Sequence, residues 1–181
     1  MSNIRANNPP EPSRTDTVDL HCNLVEVQIL WDPSVSTWRS RLNLQDKQIV
    51  DAVIAAASWR GYHAGEVGVR ITDDQTIHQI NARHLSHDYP TDVISFPYSD
   101  RSDVIEGELV ASVETAAINA ADAGWETADE LLLYIIHGVL HIGGMDDHDE
   151  ADRAEMRRAE RAVLTSLGMT ADPAAEGKLS G

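Results

Sequence analysis

Two histidines one helical turn apart carry the clearest chemical signal in the chain. His137 and His141 lie in the almost wholly apolar segment 131–141. Positions i and i+4 of a helix face the same side, so the two imidazoles should converge. A buried imidazole needs partners for both ring nitrogens, and a divalent cation supplies one per ring at about 2.0–2.1 Å. The pair predicts half of a metal site, and two core histidines bonded to the backbone are the alternative.

The glycine turn after this helix is expected to deliver a third ligand. Gly143-Gly144 allows the helix to end and the chain to double back, which brings Asp146, Asp147 and His148 towards the ion. The spacing His-x3-His-x5-Asp parallels the His-x3-His-x5-His of elongated zinc-binding motifs. The spacing favours Asp147, whereas the preference of zinc for imidazole favours His148. Both stay open as the third ligand.

An open coordination position would give such a site its chemistry. Three protein ligands leave room for water, whose pKa a bound cation lowers from near 15.7 towards about 7. Whichever of Asp147 and His148 does not bind the ion is a candidate to orient that water or accept its proton. Gly138 stands where zinc peptidases of the His-Glu-x-x-His class carry their general base. Peptide hydrolysis by that mechanism is therefore disfavoured.

Composition indicates one domain without thiolate metal chemistry. The chain has 181 residues, of which 42% are hydrophobic and only 5% aromatic, which favours one helix-rich core. Cys22 is the only cysteine, so an intramolecular disulfide and a cysteine-rich zinc site are excluded. Neither a signal peptide nor an apolar stretch long enough to span a membrane is found, so a cytoplasmic location is expected.

The formal net charge of −16 constrains any hypothesis of nucleic-acid binding. Proteins that bind nucleic acid through its phosphates usually carry a basic face. A local basic cleft stays open because four arginines share one late segment, although a solvated helix face explains them equally well. These residues are Arg153, Arg157, Arg158 and Arg161.

Alternation and helical periodicity predict one α+β domain over residues 23–169, between a disordered arm at 1–22 and a disordered tail at 170–181. The alternating or β-rich segments predict strands at 24–31, 66–71, 92–97 and 107–112. Helical spacing predicts helices at 44–59, 73–84, 114–123 and 127–141, with another around 155–160. Thr127 and Glu130 form a capping-box pattern at the start of the histidine helix.

Two motifs of the chain resemble those of the YbeY family, metal-dependent endoribonucleases also described as ribosomal RNA maturation factors. Residues 137–148, HGVLHIGGMDDH, are similar to the family signature His-Gly-x-Leu-His-x-x-Gly-Tyr-Asp-His. Upstream, residues 90–97, PTDVISFP, are similar to the family's Thr-Asp-Val-Leu-Ser-Phe-Pro stretch. The resemblance covers most of residues 60–165.

The sequence departs from the family pattern at three positions. Asp147 coincides with the family's final histidine, and His148 is displaced by one residue. Leu85 stands where the family usually has an arginine that is associated with its action on RNA, although Arg83 is close. Met145 stands where tyrosine is common, a mild change at a packing position. The first two departures bear on the metal and on RNA contact.

The resemblance implies an α+β fold in which helices cover a small mixed sheet and a zincin-like histidine helix crosses one face. It also implies one Zn²⁺ per chain. The catalytic and metal-binding residues would be His137 and His141 with either Asp147 or His148 as third ligand.

The resemblance further implies a zinc-dependent endoribonuclease directed at single-stranded RNA. Its expected role is maturation of ribosomal RNA, namely 16S 3′ end processing, and ribosome quality control. The expected partners are ribosomal RNA and the small ribosomal subunit or its associated proteins, without a membrane. Arg83, Thr91 and Ser95 are candidate substrate contacts.

Two other functions stay open. One is another metal hydrolase, such as a peptidase that takes a carboxylate from elsewhere. The other is a non-catalytic ribosome assembly factor with a structural zinc, which four protein ligands would favour and an open coordination position would disfavour. The net negative charge gives this last function some support, because a protein that binds the ribosome through a partner protein needs few contacts with RNA phosphates.

Overall fold

The computed structural model describes residues 24–84 and 91–169. The predicted arm at 1–22 and tail at 170–181 lie outside these residues, as does Leu85. Within them the chain builds one mixed sheet and six α-helices. None of the described helices is long and apolar enough to cross a membrane.

Four strands form the sheet in the order β1-β2-β4-β3. β1 runs parallel to β2, β2 runs parallel to β4, and β3 pairs antiparallel with β4. All four predicted strands are present, with ends shifted by at most two residues, and Pro97 ends the edge strand β3, where its missing N–H is tolerated. The strands are β1 (Val25–Trp31), β2 (Gly65–Thr72), β3 (Val93–Pro97) and β4 (Ile105–Ser112).

The helices follow the predicted order with one addition. A short 3-10 turn, Pro33–Val35, leads into α1, which the sequence pattern missed because none of its residues is buried and it has no apolar stripe. The helices are α1 (Ser36–Arg41), α2 (Asp46–Trp59), α3 (Asp74–His84), α4 (Val113–Ala123), α5 (Thr127–Ile142) and α6 (Glu150–Ser166).

Alternation along the strands gives the sheet two different faces. Val67, Val69 and Ile71 point to the inner face and are at most 1% exposed within the main core, which α2, α5 and α6 complete. On the outer face α3 packs Ile77 against the strands in a small second core. The predicted α+β fold, with a mixed sheet covered by helices, is confirmed.

Glutamates occupy much of the remaining outer face. Glu26, Glu66 and Glu106 lie in register across β1, β2 and β4, and all three are exposed. Because α5 covers the inner face, these charges lie on the opposite side of the sheet from the histidine helix. Part of the large negative charge is therefore segregated from the histidines.

Gly138 allows α5 to pack closely against the sheet. A Cβ atom at this position would lie 3.0 Å from Leu109 Cδ2 and 3.1 Å from Ser95 Oγ. The Ser95 hydroxyl donates a hydrogen bond to the Gly138 carbonyl at 3.1 Å, which ties α5 to β3. Any side chain here, including the glutamate of zinc peptidases, would force Leu109, Ser95 or the helix itself to shift.

The capping box predicted at the start of α5 is wrong. Glu126 is the N-cap, without a side-chain hydrogen bond, and Thr127 is already helical. Glu130 is therefore at the fourth helical position, where the third is needed for a capping box, and it is only 6% exposed.

Candidate metal centre

The two histidines of α5 converge as their spacing predicts. His137 is 4% exposed and the His141 side chain is 24% exposed. Their Nε2 atoms lie 2.9 Å apart, with the rings edge to face. Asp147 Oδ2 completes a triangle, at 3.8 Å from the first Nε2 and 3.9 Å from the second.

The size of this triangle fits a divalent metal ion. A point equidistant from its three corners lies about 2.1 Å from each, which matches the roughly 2.0–2.2 Å at which Zn²⁺ is bound by imidazole nitrogen and carboxylate oxygen. Two imidazoles and one carboxylate are also a ligand set that zinc uses in hydrolytic enzymes. His137, His141 and Asp147 thus form a group able to hold a metal ion.

Each imidazole is oriented through its second ring nitrogen. His141 Nδ1 lies 3.0 Å from the carbonyl of Met145, which only accepts, so this nitrogen carries the hydrogen. His137 Nδ1 lies 2.7 Å from Oε1 of Glu160, a side chain with no exposed surface. Both Nε2 atoms are thereby turned towards Asp147, the arrangement that metal-binding histidines commonly show.

The two histidines differ in their affinity for protons. Burial lowers the pKa of His137, but the hydrogen bond and charge of Glu160 outweigh burial, so this pKa lies above the usual histidine value. Burial and the neighbouring charge of His137 hold the pKa of His141 below that value. Without metal, the contact between the Nε2 atoms is therefore made by a hydrogen on His137. A bound cation would take the place of that hydrogen.

The turn that carries Asp147 is fixed at both ends. Gly144 adopts φ +82°, a left-handed conformation that favours glycine. Arg60 Nε donates to the carbonyl of Gly143 at 3.0 Å and so holds the end of α5. Arg153 donates from α6 to the carbonyl of Asp147 at 3.2 Å and to the next carbonyl at 2.8 Å. The third corner of the triangle thus rests on a braced loop.

His148 takes a different place. Its side chain is 87% exposed, and its Nε2 lies 3.3 Å from Oδ1 of Asp146. Asp146, Asp147 and His148 form a second, more exposed group of close donor atoms. Of the two candidates for third ligand, the structure brings Asp147 to the histidine pair and leaves His148 at the surface.

A cleft of about 380 Å³ opens in front of the three ligands. Of the three candidate substrate contacts, Thr91 and Ser95 lie on its wall, whereas Arg83 is exposed on α3 and is not among the described residues that line it. The lining residues are Asn81, Thr91, Asp92, Val93, Ile94, Ser95, Pro97, His137, His141, Met145, Asp146, Asp147 and His148.

Two carboxylates of this region were not singled out by the sequence. Asp92 lines the cleft while only 8% exposed, and its Oδ1 accepts from Val93 N at 2.8 Å and Thr91 Oγ1 at 3.0 Å. Burial raises the pKa of Asp92. Glu160 shares the buried stripe of α6 with Met156 and other apolar residues. An acidic residue at an apolar helix position is the signal that could have identified it.

Comparison with known proteins places the chain in one family. The family model described as Endoribonuclease YbeY matches residues 35–168. A protein of that name from Rhodopirellula baltica is 47% identical over 161 residues, covering 88% of this chain and 80% of the relative. Relatives of the same name from Carboxydothermus hydrogenoformans and Desulfitobacterium hafniense are 36% and 38% identical, covering 70% and 58% of this chain and 95% and 73% of their own. The chain, as its two motifs predict, belongs to the YbeY endoribonuclease family.

Proposed function

We propose that this protein is a metal-dependent endoribonuclease that cleaves single-stranded RNA, with one Zn²⁺ per chain. Its biological role is maturation of the 16S ribosomal RNA 3′ end and ribosome quality control, on the small ribosomal subunit. The observation that carries the proposal is the convergence of His137, His141 and Asp147 at the wall of an open cleft, in a chain of an endoribonuclease family. When bound there, the ion would polarise a phosphoryl oxygen and lower the pKa of water.

The residues of the chain divide the remaining tasks. His137 and His141 hold the ion through Nε2, and Asp147 holds it through Oδ2. Asp92 is the candidate for proton exchange with the substrate, because it lies in the same cleft and a carboxyl of raised pKa suits acid–base work. Thr91 lies beside it as a neutral hydroxyl within reach of a ribose or phosphate. Its own hydrogen bond to Asp92 orients that carboxyl.

The acidic chain engages RNA mainly through the cleft. The described residues that line it include Asp92, Asp146 and Asp147 but no arginine or lysine, so phosphate contacts should be few. A cleft of about 380 Å³ admits a single strand with unstacked bases more readily than a duplex. The slope of log affinity against log salt concentration should therefore be shallow.

The other two functions have less support. Among the described residues the histidine group supplies three ligand atoms, which leaves a coordination position for substrate or water and speaks against a purely structural ion. A peptidase of the His-Glu-x-x-His class would need a glutamate at position 138. That position is Gly138, which packs closely against Leu109 and Ser95.

The activity is tested with purified protein stripped of metal and then reloaded with Zn²⁺. The substrates are an end-labelled single-stranded RNA, the same RNA annealed to its complement, and casein. We expect cleavage of the single strand only, lost after stripping and in His137→Ala. Cleavage that persists in both, or cleavage of casein alone, would overturn the proposal.

The biological role needs a separate test in cells that lack the protein. We expect 16S precursors with unprocessed 3′ ends to accumulate, and the wild-type chain but not His137→Ala to restore the mature ends. Normal 3′ ends in the depleted cells would refute the role in maturation while leaving the chemistry intact.

A further inference from the structure

Glu160 is the least expected side chain near the metal centre. It has no exposed surface and lies on the apolar stripe of α6, with Met156, Val163 and Leu164 as buried neighbours in sequence. Its Oε1 contacts His137 Nδ1 at 2.7 Å. Its Oε2 is buried without a hydrogen-bond partner among the described residues.

A carboxylate at this place weakens the fold unless another group compensates it. Taking a carboxylate out of water is costly, and an apolar side chain of similar size would fill the same space without that cost. The single strong contact of Glu160 is with a histidine whose other nitrogen faces His141 and Asp147. The compensation therefore comes from the metal centre.

The contact selects one form of the His137 ring. A carboxylate only accepts hydrogen bonds, so Nδ1 must carry the hydrogen, and the lone pair of the neutral ring then resides on Nε2. In the opposite tautomer a hydrogen on Nε2 would occupy the place of the metal. His141 is held in the same form by a hydrogen bond from its Nδ1 to the Met145 carbonyl, a backbone group that no side-chain substitution removes. Of the two histidines, only His137 is held by a replaceable group.

We propose that Glu160 is a positioning residue that fixes His137 in the Nδ1–H form and thereby raises the metal affinity of the site. It touches neither metal nor substrate and acts through the imidazole alone. This inference rests on the proposed metal site at His137, His141 and Asp147.

The first test reads the ring directly in metal-free wild-type protein. Long-range ¹⁵N–¹H correlation spectra report which ring nitrogens of each histidine carry hydrogen. We expect a hydrogen on Nδ1 of His137, whether or not Nε2 also carries one. Finding Nδ1 of His137 without a hydrogen in the wild type would overturn the inference without any variant, and this readout does not depend on whether the protein cleaves RNA.

The second test compares Glu160→Leu with Glu160→Gln. The amide oxygen of glutamine can still accept from Nδ1, whereas leucine cannot. Competition with a chromophoric chelator should show Zn²⁺ affinity falling about 10–100-fold in the leucine variant, the range typical for loss of such a partner, with most of it restored in the glutamine variant. Glu155→Gln, an exposed position on the same helix, is the matched control and should bind as the wild type does.

The outcomes separate this inference from the proposed function. Leucine and glutamine variants that both keep wild-type affinity, or that lose it equally, would overturn orientation by Glu160. Should the leucine variant fail to fold, the wild-type spectrum and the glutamine variant still decide. Retention of Zn²⁺ by Asp147→Ala and His137→Ala would instead refute the metal site, and with it the proposed function.

Discussion

The Nε2 atoms of His137 and His141 lie 2.9 Å apart, which requires a hydrogen between them when no cation is present. Asp147 Oδ2 lies 3.8 and 3.9 Å from these atoms, too far for a hydrogen bond to either. The carboxylate thus faces the pair without bonding to it, and a cation at the centre would bind all three. Groups outside this triangle hold the arrangement.

Arg153 should matter for metal binding although it lies outside the triangle. Its guanidinium braces the carbonyl of Asp147 and the following carbonyl, so Arg153→Ala should loosen the loop that presents the third ligand. We expect the Zn²⁺ affinity, measured by chelator competition, to fall by up to about tenfold. Arg158→Ala removes a guanidinium that lies 3.8 Å from the exposed Glu155 on the same helix, and it should leave the affinity unchanged. Equal affinities in the two variants would show that the brace is unimportant.

Gly138→Ala should destabilise the fold. Its Cβ would meet Leu109 and Ser95 at 3.0–3.2 Å, so these side chains or α5 must shift, at a cost of about 1–3 kcal/mol. Urea unfolding measures the loss. An unchanged or increased free energy of unfolding in Gly138→Ala would contradict the close packing described for α5.

Asp92→Asn should change how stability depends on pH. Burial raises the pKa of Asp92 in the fold, so its contribution to stability is complete below the unfolded pKa near 3.8 and is lost as pH rises through the folded pKa. The amide oxygen of asparagine can still accept from Val93 N, without the charge. Metal-free Asp92→Asn should therefore gain stability relative to the wild type as pH rises from acidic to neutral. Urea unfolding at several pH values tests this, and a constant difference would show that the carboxyl is not perturbed.

Much of the fold could be predicted because buried apolar residues recur at regular spacing along each strand or helix. Strands such as Gly65–Thr72 alternate between core and surface, and Asp46–Trp59 repeats its apolar residues at helical spacing. α1 could not be found in this way, since it buries nothing. The capping box failed for a different reason: α5 begins one residue earlier than the pattern requires, so Thr127 is already helical and Glu130 is not at the third helical position.

The part of the site that lies on a single helix could be predicted, but the parts contributed by other elements could not. The spacing of His137 and His141 fixes their common side. Asp147 and His148 are neighbours, and the motif spacing favours Asp147 without deciding between them. Which of them faces the histidine pair depends on the left-handed Gly144 and on the brace from α6. Glu160 lies 23 positions from its histidine, so only the packing of α6 on α5 brings them together.

The choice between Asp147 and His148 gives the most direct test of the metal centre. Wild type, Asp147→Ala and His148→Ala are stripped of metal, reloaded with Zn²⁺, and measured for zinc content and affinity. The two substitutions change adjacent side chains. That of Asp147 is 11% exposed, and that of His148 is 87% exposed. We expect Asp147→Ala to lose the ion and His148→Ala to keep it with nearly wild-type affinity. Retention by Asp147→Ala with loss by His148→Ala would contradict this expectation.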